Sequence, residues 1–382
     1  MKAVFVLEDG SSFEGISAAA AGENIGQVVL NTAVVGYQEM MTDPSNAGKI
    51  LVLTYPLIGN YGTARKFNES KGCWLAGLVM KEASRISSNW QSEATLVDFL
   101  KKESVLSIAD VDTRTVATTI RDKGEIFGII STESSNKADL ISRIKEFKNK
   151  ERPNHIKAIS VKKPTEIGSF PGGPKIAVLD MGMLESFTKQ LTGLGCNITL
   201  VPYSTDAKAI LAMRPDGVII SNGPEEDEAI HRITDTVKAL LGKVPIMGIS
   251  SGHEIIGLAL GADRKKMAVG HHGVNYPIKG ASSYKGEITV QNHSYILDDA
   301  AVKSRKDVSV TMRNVNDNTI EEMESKPLKF ISVQYYPVSP GFDEPSGAFL
   351  KFLKILPARI RPKPAAAKPA SKGGAACQSV KI

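Results

Sequence analysis

The sequence predicts an α/β protein in which an N-terminal α+β domain precedes a doubly wound domain with a mainly parallel sheet. Three observations predict it. Strand-like segments punctuated by Gly and Pro crowd the start of the chain, and helical periodicity appears only from Glu93 onward. From Lys175 the pattern changes, and short apolar runs alternate with helical ones. The composition, 42% hydrophobic and 23% charged over 382 residues, suits a globular chain long enough to bury real cores.

Taken in order, Ala3 to Leu7 and Ser12 to Ile16 read as two strands around a hairpin turn at Asp9-Gly10, whose Gly permits positive φ. Ile50 to Pro56 is a further strand-like segment. Helical spacing marks Glu93 to Lys102 and Thr113 to Lys123, the second ending at Gly124. These elements assign residues 1–150 to the first domain. The polar stretch 151–174, with Lys162-Lys163-Pro164 and Gly172-Gly173-Pro174, is expected to be a linker. In the second domain, residues 175–355, strands are predicted at 176–179, 198–201, 217–220 and 245–249. Helices fall at 184–194, 206–213 and 230–241 and after Ile255. Parallel sheets place ligands at the carboxyl ends of strands, so the loops after Ile220 and Ile249 are where chemistry is expected.

The last segment, 356–382, is a low-complexity Pro/Ala/Lys tail expected to be disordered. It holds six basic residues and no acid, and without them the chain has 41 basic against 41 acidic residues. The net charge of +6 therefore belongs to the tail, and a folded basic face for nucleic acid is not supplied. Cys73, Cys196 and Cys377 lie far apart without metal or disulfide spacing, which favours a reducing compartment. No signal-like or membrane-spanning run occurs, and the expected location is cytoplasmic, without membrane partners.

After the strand at 245–249 comes Gly248-Ile249-Ser250-Ser251-Gly252-His253-Glu254, running into the apolar Ile255-Ile256-Gly257-Leu258. Small residues turning sharply from strand to helix build a nucleophile elbow, because glycines relieve crowding and the helix N-terminus aims backbone N–H groups at a developing oxyanion. The same turn occurs in many α/β sheets without catalysis, so the pattern alone does not assign a nucleophile.

The chain resembles the small subunit of carbamoyl-phosphate synthetase, in which a class I glutamine amidotransferase domain follows an N-terminal domain special to that subunit. The resemblance runs from about residue 2 to about 353. It is carried by Leu7-Glu8-Asp9-Gly10, Gly36-Tyr37-Gln38-Glu39, Thr42-Asp43-Pro44-Ser45, Leu53-Thr54-Tyr55-Pro56 with Gly59-Asn60, and Asp110-Val111-Asp112-Thr113-Arg114. The second domain adds Ser221-Asn222-Gly223-Pro224, Gly270-His271-His272-Gly273 with Asn275, and Gln291-Asn292-His293.

That resemblance implies glutamine hydrolysis by a Cys-His-Glu triad, and all three positions depart from it. Ser250 stands at the family's Cys and Tyr336 at its base His. The Glu falls at or next to Val338, in a stretch one residue shorter than the family's. A Cys thiol, ordinarily near pKa 8.5, ionises readily beside an imidazole, whereas a Ser hydroxyl attacks only when a base takes its proton. A phenol with an ordinary pKa of about 10 is no such base at neutral pH, and Val338 orients nothing. The glutaminase is therefore expected to be lost.

The family's glutamine contacts correspond to Ser45, Gly223, Glu225, Ser251, Glu254, Asn292, Ser294 and Tyr295. Glu225 and Glu254 replace Gly and Gln, and two added carboxylates are expected to repel a glutamine carboxylate and to favour a ligand presenting a cation or donors toward them. The N–H groups of Gly223 and Ser251 are the implied oxyanion donors. His253, three residues after Ser250, is expected to pack beneath the elbow rather than act as a base. His271, His272 and His293 are read as pocket-wall and interface residues. No carboxylate or Cys at ligand spacing joins them, so no metal is expected.

The resemblance further implies a synthetase large subunit as partner, carrying ATP and Mg²⁺, with no cofactor in this chain. The complex would be a ligase making carbamoyl phosphate for arginine or pyrimidine biosynthesis, with free ammonia as nitrogen source. Two alternatives stay open at this point: a pseudo-enzyme sensing a small-molecule ligand in the remnant pocket or serving as a scaffold, and a Ser250-based hydrolase.

Overall fold

A computed structural model describes residues 1–150, 154–280, 286–341 and 344–357. The expected disordered tail lies outside the described residues beyond position 357.

The N-terminal domain is a closed barrel of seven strands: β1 (Lys2–Leu7), β2 (Ser12–Ser17), β3 (Glu23–Asn31), β4 (Ile50–Ile58), β5 (Gly77–Ala83), β6 (Ser107–Ala109) and β7 (Phe127–Ser131). Around the barrel they run β1-β2-β6-β5-β4-β3-β7. The β3–β4–β5–β6 run is parallel, whereas β1 pairs antiparallel with both β2 and β7. Period-two alternation explains the two cores of this domain. In β4, Ile50 and Val52 join Phe5, Val28 and Ile130 in one cluster, while Leu51 and Leu53 join Met41, Leu96 and Leu100 in another. The helices Leu96–Lys102 and Thr113–Lys123 are interleaved with strands instead of following them all: the first connects the parallel neighbours β5 and β6, and the second leads from β6 to β7, which pairs antiparallel with β1 and β3.

The second domain is one ten-stranded sheet: β8 (Thr165–Ile167), β9 (Lys175–Asp180), β10 (Asn197–Pro202), β11 (Gly217–Ile220), β12 (Ile246–Ile249), β13 (Arg264–Gly280), β14 (Gly286–Leu297), β15 (Ser309–Asn314), β16 (Ile320–Ser325) and β17 (Phe330–Val333). The order is β14-β13-β15-β16-β17-β12-β11-β9-β10-β8. The stretch β10-β9-β11-β12-β17 is parallel, and its short apolar strands β11, β12 and β17 are buried along their whole length. Helices Ile230–Leu240 and Ser251–Ala259 cover one face; Glu185–Gly193 and Gly347–Ile355 cover the other.

The expected linker at 151–174 is corrected by the structure from Asn154 onward. Asn154 caps a short helix, His155–Ile159, whose Ile156 is fully buried and donates its N–H to Asp227 Oδ2 at 2.9 Å. Next, β8 adds an antiparallel edge to β10. So few residues face the core here that a polar composition conceals the packing. Among the described residues no helix is long and apolar enough to cross a membrane.

Candidate functional site

The site forms where β11, β12, β14 and β17 end and a turn of the first domain meets them. Ser250 closes β12 with φ 52 and ψ −112, and the helix Ser251–Ala259 begins immediately after it. Two glycines permit this turn. A Cβ on Gly252 would lie 2.2 Å from Ile220 O, and one on Gly248 would lie 2.6 Å from Gly252 O. Ser250 is buried, and among the described residues no hydrogen bond joins its hydroxyl to Tyr336 or to an imidazole.

Tyr336 turns toward the other domain. Its hydroxyl donates to Asp43 Oδ2 at 2.7 Å, lies 3.0 Å from Ser45 Oγ and accepts from Asn292 Nδ2 at 3.4 Å. Its ring stands edge-on to Phe187. Burial, then the Asp43 carboxylate, pushes the phenol well above its ordinary range, so it stays protonated. Asp43 is itself raised by burial and held partly in check by Ser45 N–H, Tyr336 and Asn292. Asn292 also donates to Asp43 Oδ2 at 2.8 Å and to Asn46 Oδ1 at 3.1 Å. Asn222 reaches Ser45 Oγ at 3.1 Å. Val338 sits half-exposed on the rim of an interdomain cavity of about 250 Å³, which Glu39, Asp43, Glu69, Asn292 and Tyr336 also line.

His253 lies fully buried under the elbow, with Nδ1 2.9 Å from Ser332 Oγ. Burial lowers it to about 3, so the ring is neutral. Its Nε2 is buried without a hydrogen-bond partner among the described residues. Gly223 fits tightly under Met181, whose carbonyl O would be 2.4 Å from a Cβ there. Ser251 is buried, and its Oγ has no partner among the described residues.

The two added acids are answered from within, which corrects the expectation that they await a ligand's cation or donors. Glu225 accepts from the backbone N–H of Ser294 through both oxygens at 2.9 Å and from that of Tyr295 at 3.0 Å. Lys49 Nζ stands 3.7 Å from it. Glu254 receives Arg264 Nη1 at 2.9 Å and Gln334 Nε2 at 3.2 Å. Burial, then the charge of Glu225, pushes Glu254 well above the carboxyl range, although Arg264 opposes them. The Arg264 guanidinium also lies over the Tyr295 ring, 4.4 Å from its centre. Lys49 and Arg264 were invisible as partners, because residues 176 and 10 positions away from their acids meet only through the fold.

The histidines need a second correction. His271, His293 and Glu321 bring ligand atoms within 4.8 Å of one another, although Glu321 is remote in sequence. The centre is filled by Gln291. Its Oε1 lies 2.8 Å from His271 Nδ1 and 2.9 Å from His293 Nε2, and its Nε2 donates to Glu321 Oε1 at 2.8 Å. The Gln291 amide thus bridges all three side chains, while Glu321 Oε2 is buried without a partner among the described residues. His272 instead joins the domains: Nε2 lies 2.9 Å from Glu125 Oε1, which also accepts from Gly270 N–H at 2.7 Å.

Comparison with known proteins agrees with this architecture. Residues 5–130 match the family model described as carbamoyl-phosphate synthase small chain, CPSase domain, and residues 177–355 match glutamine amidotransferase class-I. A carbamoyl phosphate synthase small chain of Staphylococcus saprophyticus is 38% identical over 357 residues, covering 93% of this chain and 96% of that one. The pyrimidine-specific small chain of Bacillus subtilis is 37% identical, covering 93% and 96%. A chloroplastic small chain of Arabidopsis thaliana is 36% identical, covering 92% and 84%.

Proposed function

Because the chain belongs to the carbamoyl-phosphate synthase small-chain family, we propose that it acts in the cytoplasm as the small subunit of such a synthase, has lost its own glutaminase, and supports synthesis from free ammonia. A large subunit would bind ATP and Mg²⁺ and carry the ligase chemistry, feeding arginine or pyrimidine synthesis.

The observation that supports this reading is the use made of Tyr336. Acyl transfer from glutamine needs a base beside the nucleophile and a group that holds that base in its working tautomer. At the base position stands a protonated phenol committed to Asp43, 293 residues away in the chain. At the orienting position stands Val338, and His253 is neutral with its free nitrogen buried. Among the described residues Ser250 thus has no partner to take its proton. The interdomain contacts through Asp43, Ser45, Asn292 and Glu125 support a subunit that keeps its shape without that chemistry.

The test is reconstitution with a large subunit, measuring carbamoyl phosphate from ammonium chloride and from glutamine. Synthesis from ammonium alone is expected. Comparable synthesis from glutamine would defeat the proposal.

A further inference from the structure

We propose that the pocket carries its own carboxylate: the Glu225 side chain occupies the paired backbone N–H groups of Ser294 and Tyr295 and closes the site to free carboxylates such as glutamine. This rests on the reading of the second domain as an amidotransferase fold without hydrolysis, and it makes the pocket a filled site instead of an eroded one.

Three features carry it. First, the backbone at Ser294 and Tyr295 aims two successive N–H groups at one point, the arrangement that binds a carboxylate from outside in many proteins. Here Glu225 takes both, using both oxygens, at 2.9 to 3.0 Å. Second, Glu225 is only 3% exposed, and a buried carboxylate is tolerated only where donors and cations meet it. The two N–H groups and Lys49 Nζ at 3.7 Å are those groups. Third, the neighbouring Glu254 is fully buried, and burial and the Glu225 carboxylate push it well above the ordinary carboxyl range, while Arg264 and Gln334 cover its oxygens. The stack of Arg264 on Tyr295, the Tyr295 hydroxyl on Glu226 at 2.8 Å and Lys266 on Glu226 at 2.6 Å fix the wall around them. An incoming carboxylate would have to displace Glu225 from the N–H pair and leave it buried and unpaired. That exchange gains no hydrogen bond and adds a charge.

Removal of the side chain should therefore create a carboxylate site. In calorimetric titrations of the full chain at neutral pH, the parent should give no saturable heat with millimolar acetate or L-glutamine. Glu225→Gly and Glu225→Ala should bind both, at least about tenfold more tightly than the parent, the scale set by losing hydrogen bonds to a charged group. Binding by the parent at the variants' affinity overturns the proposal. So does the failure of cooperatively folded variants to bind any carboxylate. Should both variants unfold, the parent still decides: the backbone amide resonances of Ser294 and Tyr295 should not move on addition of either ligand, and movement overturns the proposal. A parent that binds glutamine without releasing ammonia would refute the built-in carboxylate and leave the loss of hydrolysis intact.

Discussion

Tyr336→Phe removes one oxygen and leaves the ring on Phe187, so it isolates what the hydroxyl does. The structure gives the size of the effect. The bond to Asp43 at 2.7 Å is donated to a buried carboxyl group, and hydrogen bonds to charged groups contribute about 1.5–3 kcal/mol. The contacts to Ser45 and Asn292, at 3.0 and 3.4 Å, are neutral and weaker. Losing the phenol also relieves its own desolvation, so a net loss of about 2 kcal/mol at neutral pH is expected. The sign with pH follows from Asp43. Its folded pKa is already raised, and losing a donor raises it further. An acid raised on folding destabilises the protein as pH climbs through the ordinary carboxyl range. The Phe variant should thus lose most at neutral pH and approach the parent below about pH 4. Urea unfolding midpoints at the two pH values read this out. A variant within about 0.5 kcal/mol of the parent at neutral pH would show that the hydroxyl is not an interdomain tie.

Further outcomes follow from the same geometry. Ser250→Cys alone should release no ammonia from glutamine, because an unassisted thiol keeps its ordinary pKa, and loss of a whole triad costs about 10⁴ to 10⁶ in turnover. Glu321, raised by burial to about 7 from 4.5, should cost about 3 kcal/mol of stability as pH rises from 4.5 to 7, a loss Glu321→Gln should abolish in unfolding scans. Glu125 behaves oppositely: burial raises it, but the His272 hydrogen bond and charge, with Lys49 and Gly270, hold it at about 2. Its contribution should be present above pH 4.5 and vanish as pH falls toward 2, and Glu125→Gln should remove that dependence.

The parallel strands β9 to β12 and the elbow were legible because each strand is a short apolar run alternating with helical periodicity, and the last runs into the small residues Ser250-Ser251-Gly252. The antiparallel half was not. Strand β13 runs Arg264-Lys265-Lys266-Met267 into Gly270-His271-His272-Gly273 with Pro277 beyond, and two register shifts against β14 break the alternation that would mark a strand. The triad positions were visible through the family pattern. What fills the space between them was not, since the Asp43–Tyr336, Lys49–Glu225 and Glu125–His272 contacts join residues that only the docked domains bring together.

Ser250 poses the remaining question of whether its side chain does anything. Its φ of 52 with ψ −112 is a conformation that L residues adopt at a cost of about 1–3 kcal/mol, and such strain persists where a site requires it. Here the hydroxyl has no base among the described residues, and the Ser250 N–H is held by Val333 O at 2.8 Å whatever the side chain. Glycine meets that φ without strain but loses more entropy on folding. Strain relief should win, and Ser250→Gly should raise stability by about 1 kcal/mol while leaving ammonia-dependent synthesis in the reconstituted complex unchanged. The parent should also resist labelling by a fluorophosphonate probe. A labelled Ser250, together with loss of an esterase or amidase activity in the Gly variant, would show that the strained elbow still serves a nucleophile.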